Sequence, residues 1–304
     1  MRILILGGSG FIGTNLKRVI DAKSDVLSFS RSAGHDLRDY EASSTACIDF
    51  EPDVIFNLAC HGGSLHYVTK FAADVINDNI AMSLNLYKIA QSLPYKPLIV
   101  NAISNCSYPG DSGVQSEPNW LSGSVHDSVF PFASSKRTLY CISKCYYRQY
   151  GINSVNLIFP NAFGVFDHTD PNKTHAIDGI IIRMIKAKRA ADSSFEVWGP
   201  GSPVREWIFV EDFCNILIAG SYHDAIIEPV NVAQGKGYSI KESVEMIRWI
   251  LGYEGDLAFN TSYPDGDPVK ILDDTMFKSV FSGYEFVNHE EALRRTIQYY
   301  EEIL

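Results

Sequence analysis

The sequence predicts an α/β protein: a Rossmann-type doubly wound parallel sheet with a smaller C-terminal α/β part that caps it and binds substrate. Three observations carry that expectation. Short apolar runs alternate with helical patterns from residue 1 to about 160, the pattern of parallel strands joined by helical crossovers. The first run, Arg2 to Leu6, passes at once into Gly7-Gly8-Ser9-Gly10-Phe11-Ile12-Gly13. Beyond residue 160 the alternation loosens into shorter signals separated by polar, Gly- and Pro-containing loops.

The glycine stretch has the context that a dinucleotide-binding turn requires, directly after a strand and at the start of a helical pattern (Phe11, Ile12, Leu16, Val19, Ile20). Gly7 allows a tight turn, Gly10 lets a pyrophosphate approach the backbone, and Gly13 lets helix and strand pack closely. The helix start offers free N–H groups and a positive dipole end to phosphates. A second strand is expected over 26–29, ending at Ser30-Arg31. No acidic residue stands there to bond the ribose 2′-hydroxyl of NAD, and Arg31 suits a 2′-phosphate, so NADP is expected, with NAD as the alternative. Asp36-Leu37-Arg38-Asp39 leads into a helical stretch over 40–48. Asp36 either contacts the adenine, or one of these aspartates caps that helix.

Further strands are expected over 54–58, 98–102 and 155–159, and helices over 72–91 and 132–150. Pro131 suits the first turn of the latter helix and Gly151 its stop. Residues 111–127 read as a polar loop. Ligands of open α/β sheets bind outside the carboxyl ends of the strands, which draws attention to Ser104-Asn105-Cys106. Later signals are a helix over 176–189, a strand over 195–198, a helix over 211–219 returning to the sheet, a strand over 231–233, and helices over 240–252 and 290–304. The expected division is a cofactor domain of 1–160 with about 205–230, and a substrate domain of 161–204 with 231–304.

Bulk properties narrow the function. The 304 residues, 46% hydrophobic and 20% charged, are those of an ordinary globular chain. A net charge of −10 disfavours nucleic acid and anionic membrane surfaces as partners. No apolar run is long enough to span a bilayer, and a strand at the very start leaves no room for a signal peptide. The six cysteines show neither metal-ligand spacing nor disulfide density, so reduced thiols, a cytoplasmic location and no metal are expected. Cys141 and Cys145 read as ordinary helix residues.

With these residues read, the chain resembles the extended short-chain dehydrogenase/reductase family acting on nucleotide sugars, and within it the GDP-L-fucose synthase group. The resemblance runs over nearly the whole length. It rests on 7–13, 60–63, 104–109, 146–151, Thr174-His175, Trp198-Gly199, 203–206 and 264–270. It implies a homodimer, formed through the helices over 72–91 and 132–150, and a nucleotide-sugar substrate, GDP-linked. It also implies C3/C5 epimerisation of a 4-keto-6-deoxy sugar followed by NADPH-dependent reduction at C4. Beyond the glycine turn, Arg31, Asp36 and Leu37, the cofactor residues it implies are Leu58, Ala59, Asn79, Lys136, Pro160, Ala162 and His175. For the nucleotide sugar it implies Asn161, Arg183, Trp198, Arg205, Asp265 and Lys270. Arginine suits a diphosphate because it bonds bidentately, and an aromatic face suits a base.

In that family a Ser, a Tyr and a Lys manage the proton that accompanies hydride transfer. Ser104 and Lys136 match two of them. The tyrosine position, just after Pro131, is Phe132. Tyr140 and Lys144 repeat the Tyr-x-x-x-Lys spacing, but eight residues further on, about 12 Å along a helix. Tyr140 is expected to pack on that helix, and Lys144 to lie exposed or to snorkel. Three explanations of Phe132 stay open: an engineered Tyr→Phe, a natural protein retained as an epimerase, or another proton donor. Epimerisation needs only a base and an acid on opposite faces of a carbon beside a ketone, and Cys106 and His175 match that pair. The rival readings are another nucleotide-sugar 4-epimerase or 4-ketoreductase, and a catalytically silent NADP-binding protein.

Overall fold

A computed structural model of the chain describes residues 1–110, 113–171, 173–262 and 267–304. The first half is built of β1 (Arg2–Leu6), α1 (Phe11–Val19), β2 (Asp25–Phe29), α2 (Tyr40–Phe50), β3 (Val54–Asn57), α3 (Leu65–Lys70), α4 (Ala72–Ser92), β4 (Leu98–Ser104), β5 (Val114–Gln115), α5 (Phe130–Tyr150) and β6 (Ser154–Phe159). There follow β7 (Asn161–Phe163), α6 (Ala176–Arg189), β8 (Ser194–Trp198), β9 (Val204–Arg205), β10 (Trp207–Phe209), α7 (Val210–Gly220) and β11 (Ile226–Asn231). The chain closes with β12 (Tyr238–Ser239), α8 (Ile240–Leu251), β13 (Asp256–Asn260), β14 (Val269–Leu272), α9 (Thr275–Val280) and α10 (His289–Ile303).

Six of these strands form a parallel sheet in the order β11-β6-β4-β3-β1-β2. The chain leaves β1 to one side for β2 and returns on the other for β3, so the strand order reverses between β1 and β3. A crevice opens at the carboxyl ends of such a pair. Alternate residues of β1 enter opposite cores, as the two-residue strand period requires. Ile3 and Ile5 meet α1, α7 and, beyond them, α6, α8 and α10, while Leu4 and Leu6 meet α2, α4 and α5. The remaining strands pair outside this sheet, as β10-β7, β12-β9-β14-β5 and β13-β8.

Register across the middle of the sheet has a polar lock. Asn57 donates to Asn101 (2.9 Å), and Asn101 donates to Asn156 (3.0 Å) and to the Tyr87 hydroxyl (2.8 Å), all buried. A one-residue slip would strand these amides without partners, so the row fixes which residues face each other.

Several expectations need correction. The last strand of the sheet is Ile226–Asn231 rather than 231–233. Pro229 lowers its strand signal, and a proline is tolerated there because β11 is an edge strand with a register irregularity. α5 starts at Phe130, with Pro131 in its first turn. β4 extends to Ser104, and Asn105–Ser107 forms a 3-10 turn. The loop expected over 111–127 contains β5 and a 3-10 turn at Glu117–Asn119. α3, β13, β14 and α9 went unread because four to six residues are too few to show a period.

Candidate active site at the carboxyl edge of the sheet

The glycine turn closes against the next strand of the crevice. The Gly7 and Gly8 N–H groups donate to the Phe29 carbonyl (2.9 and 3.0 Å), and Gly7 has φ +83°. A Cβ on Gly7 would lie 2.9 Å from the backbone of Leu58 and Ala59, and one on Gly13 only 2.4 Å from the Gly7 carbonyl oxygen. No side chain caps α1, so its first-turn N–H groups remain for a ligand. A phosphate-bearing dinucleotide fits this cradle: close backbone approach is available, and a bare helix start faces the crevice.

Around the adenine end, Asp39 caps α2 by accepting from Ala42 N–H (3.1 Å). Asp36 does not cap; Arg38 grips its carboxylate, with Nε on Oδ1 at 2.9 Å, and reaches Asp78 at 2.9 Å. That hydrogen bonding holds the Asp36 carboxyl at about 2. Arg31 is exposed at the end of β2, and Leu37 is buried.

Asn79, expected among the cofactor residues, holds the loop after β3. Its side chain accepts from His61 N–H (2.8 Å) and donates to the carbonyls of His61 (2.8 Å) and Val75 (2.8 Å). It therefore shapes the loop after β3 and has no donor left over. His61 in turn bridges Asp78 and the Tyr67 hydroxyl, each at 2.8 Å. This pinned loop lays Gly62 beside Phe132, where a Cβ would meet the ring at 3.4 Å. Pro160 and Ala162, at the end of β6 and in β7, are buried in the protein.

Lys136, one turn after Phe132 on α5, is buried with its ammonium 3.1 Å from the Ala102 carbonyl and 5.4 Å from the centre of the Phe132 ring. Tyr140 and Lys144 point elsewhere. The Tyr140 hydroxyl donates to Glu228 (2.5 Å), and Lys144 bonds both Tyr140 (3.0 Å) and Glu228 (2.6 Å), tying α5 to β11. Tyr140 is buried against Trp120, as its expected packing role requires. Lys144, expected exposed or snorkelling, is partly exposed and forms an ion pair with Glu228.

Cys106 sits two residues beyond β4 in a turn held from several sides. Ser104 caps that turn by accepting from the Cys106 N–H (3.4 Å). Arg137 donates to the Ser107 (2.7 Å) and Trp120 (2.8 Å) carbonyls, and Trp120 donates to the Ser107 hydroxyl (2.9 Å). Burial pushes the Cys106 thiol above its usual pKa, against the opposing pull of Ser104 and of the Lys270 and Lys136 charges. The thiol therefore lies within the field of a lysine from α5 and one from β14. Beside it, the Asn105 amide nitrogen is buried with no protein partner.

His175, just before α6, packs on Phe11 of the glycine turn with ring centres 5.2 Å apart. Its Nδ1 is 3.0 Å from Asp167, a residue the sequence reading passed over as part of a polar loop. Cys106 follows the carboxyl end of β4, and His175, packed on Phe11 just past the carboxyl end of β1, lies at the same edge of the sheet.

Of the residues expected to bind substrate, Arg205 and Lys270 face each other in register on β9 and β14. Lys270 is paired with Asp267 at 3.0 Å. The Arg183 guanidinium lies 4.4 Å from the centre of the exposed Trp198 ring and 4.9 Å from that of Phe195. Asn161 donates to the Glu206 carbonyl (3.3 Å). Asp265 lies outside the described residues. Glu206, also unforeseen, is fully buried and accepts from Leu272 N–H (2.8 Å) and Gln234 N–H, which ties β14 to the loop after β11. Burial raises its carboxyl to about 7.

The family described as NAD dependent epimerase/dehydratase matches residues 3–233. The chain belongs to this family. Among curated epimerase/dehydratase relatives it is 27% identical to GDP-L-colitose synthase of Yersinia pseudotuberculosis, over 99% of this chain and 98% of that one. It is 29% identical to GDP-L-fucose synthase of Azorhizobium caulinodans, over 98% and 96%. A GDP-L-fucose synthetase structure from Naegleria fowleri superposes with TM-score 0.89 at 22% identity, covering 99% of this chain and 93% of that one. An NADP-bound GDP-mannoheptose C4 reductase from Campylobacter jejuni gives 0.84 at 22% identity, covering 99% and 98%. Both structures share the epimerase/dehydratase fold found here. Among the described residues no helix is long and apolar enough to cross a membrane.

Proposed function

We propose that this chain is an NADP-dependent epimerase/reductase acting on a GDP-linked 4-keto-6-deoxy sugar, strong in C3/C5 epimerisation and slow in C4 reduction. The names of the full-length relatives support the substrate class. The observation that carries the chemistry is the Cys106 thiol in the turn after β4, within the field of Lys136 and Lys270, at the same sheet edge as the Asp167-bound His175. We read 1–160 with 205–230 as the cofactor part, 161–204 with 231–304 as the sugar-nucleotide part, and the active form as a homodimer.

When bound, NADP(H) supplies the hydride for C4. The glycine turn and α1 would hold its pyrophosphate, Arg31 its 2′-phosphate and Lys136 its ribose. Trp198 and Arg183 offer the base a ring face and a cation, while Arg205 and Lys270 suit the diphosphate. The 4-ketone makes the neighbouring C–H bonds acidic. The Cys106 thiolate removes a proton from one face, and the His175 imidazolium returns one to the other. Phe132 keeps the ring shape but has no proton to give the C4 oxygen.

The deciding experiment incubates the protein with GDP-4-keto-6-deoxymannose in D2O without NADPH. Deuterium is expected at C3 and C5 by NMR; a bound substrate that gains none would overturn the reading. For the cofactor, Arg31→Asp is expected to weaken NADPH at least tenfold while leaving NADH within about twofold, because the lost contact is to the 2′-phosphate alone. Titration with both cofactors measures it, and equal losses would remove Arg31 from phosphate recognition.

A further inference from the structure

His175 is held by a buried acid cluster. Its own side chain is 48% exposed, whereas that of Asp167 is 0% exposed. Asp167 Oδ2 accepts three hydrogen bonds, from His175 Nδ1 (3.0 Å), the His175 backbone N–H (2.7 Å) and the Thr174 hydroxyl (3.2 Å). Its Oδ1 is buried without a partner. Asp178, in the first turn of α6, is fully buried behind this pair. Its Oδ1 accepts from Gly164 N–H (3.1 Å) and from the Tyr300 hydroxyl of α10 (3.2 Å), and its Oδ2 has no partner. The uncharged ring of Phe11 in α1 packs on His175 as well.

We propose that Asp167 is the positioning residue of the epimerisation acid: it locks His175 with Nδ1–H turned inward, keeps the ring charged, and so leaves the Nε2 proton to be delivered to the sugar carbon. This rests on the reading of His175 as the acid given above. The charged groups facing His175 are Asp167, from the loop before α6, and Asp178, from α6 itself; Tyr300 acts on Asp178. Burial alone would strip His175 of its charge, but the hydrogen bond to Asp167 and the charges of Asp167 and Asp178 reverse the sign, and its pKa rises above the ordinary 6.5. Asp167 falls below the usual carboxylate range despite its burial. Asp178 goes well above that range, because burial and the neighbouring charge of Asp167 outweigh the opposing pull of His175, the Gly164 N–H and the Tyr300 hydroxyl.

The proton balance is closed. The Cys106 thiolate takes the carbon-bound proton and becomes a thiol, and the ketosugar becomes an enolate. His175 Nε2–H protonates the opposite face of that carbon and becomes neutral imidazole, still bonded through Nδ1–H to Asp167. Solvent restores both groups. For a thiol that titrates above the imidazole, the fraction of protein carrying thiolate and imidazolium together is constant between the two pKa values. It equals the ratio of their acid constants. Each unit added to the His175 pKa therefore raises the working fraction tenfold.

The test titrates His175 by NMR of histidine-labelled protein, and follows the pH dependence of deuterium exchange at the sugar, for the unaltered chain and Asp167→Asn. The asparagine can still accept from Nδ1–H but carries no charge. In the unaltered chain, His175 should show the Nδ1–H tautomer and a pKa above 6.5. In Asp167→Asn that pKa should fall by about one to three units, the range for an adjacent opposite charge. The plateau exchange rate should drop by the same factor, about 10- to 1000-fold, and the acid limb should move down by the same amount. Asp178→Asn should lower the His175 pKa by less than Asp167→Asn does, since Asp178 acts on the ring by charge alone whereas Asp167 also accepts from Nδ1–H. An unshifted His175 in Asp167→Asn, or the opposite tautomer in the unaltered chain, overturns the proposal. The second readout needs no variant to fold. A His175→Asn variant that still exchanges deuterium would overturn the functional reading instead, and leave the titration result standing.

Discussion

Cys106→Ser is expected to lose deuterium exchange at C3 and C5 by at least about 10²–10⁴-fold, the usual cost of removing one acid–base group. A serine hydroxyl keeps the turn that Arg137 and Trp120 hold in place, but it does not ionise at any pH the protein survives. NADPH affinity should be unchanged, because the glycine turn is untouched. Exchange at the unaltered rate would remove Cys106 from the mechanism. The unaltered chain should also show a particular pH profile. Exchange needs His175 protonated and Cys106 deprotonated, and each pKa lies above its ordinary value, 6.5 and 9.0. The rate should rise with pH up to the His175 pKa, level off, and fall only beyond that of Cys106. A plateau beginning below pH 6.5 would contradict the raised imidazole.

Phe132→Tyr is the second large effect, and it has the opposite sign. The ring already lies near the Lys136 ammonium and beside Gly62, so a phenol there would have the lysine that lowers its pKa close at hand. C4 reduction, followed as NADPH oxidation, should rise about 10²–10⁴-fold, while C3/C5 exchange stays within about twofold. No gain would mean that the proton for C4 comes from another group. Loss of exchange in the same variant would mean that Phe132 shapes the sugar pocket rather than merely lacking a hydroxyl.

Much of the sheet was legible in the chain because it is local. Apolar runs such as Ile3–Leu6 have strand length, and helices such as Ala176–Arg189 carry a full amphipathic period. The glycine turn declared itself by three glycines that steric contact makes necessary at Gly7 and Gly13. Lys136 and Cys106 could be picked out because their neighbours in sequence, Pro131 and Ser104, mark a helix start and a strand end. The surroundings of Asn79 are beyond what a local pattern can reveal: its amide bonds the His61 backbone, eighteen residues away.

What the sequence by itself determined is the class of fold and the place of the dinucleotide turn. Those follow from backbone sterics and from strand and helix periods, which act over a few residues, while the proton-moving roles of Cys106 and His175 are what the family resemblance implies. Only the tertiary structure decided the electrostatics. The lysine fields on Cys106 come from α5 and from β14, some 30 and 160 residues along the chain. The carboxylate on His175 comes from a loop that looks merely polar, backed by Asp178 and by Tyr300, 122 residues beyond it. Charge and burial act through space, so the pKa values that set this chemistry exist only once the chain has folded.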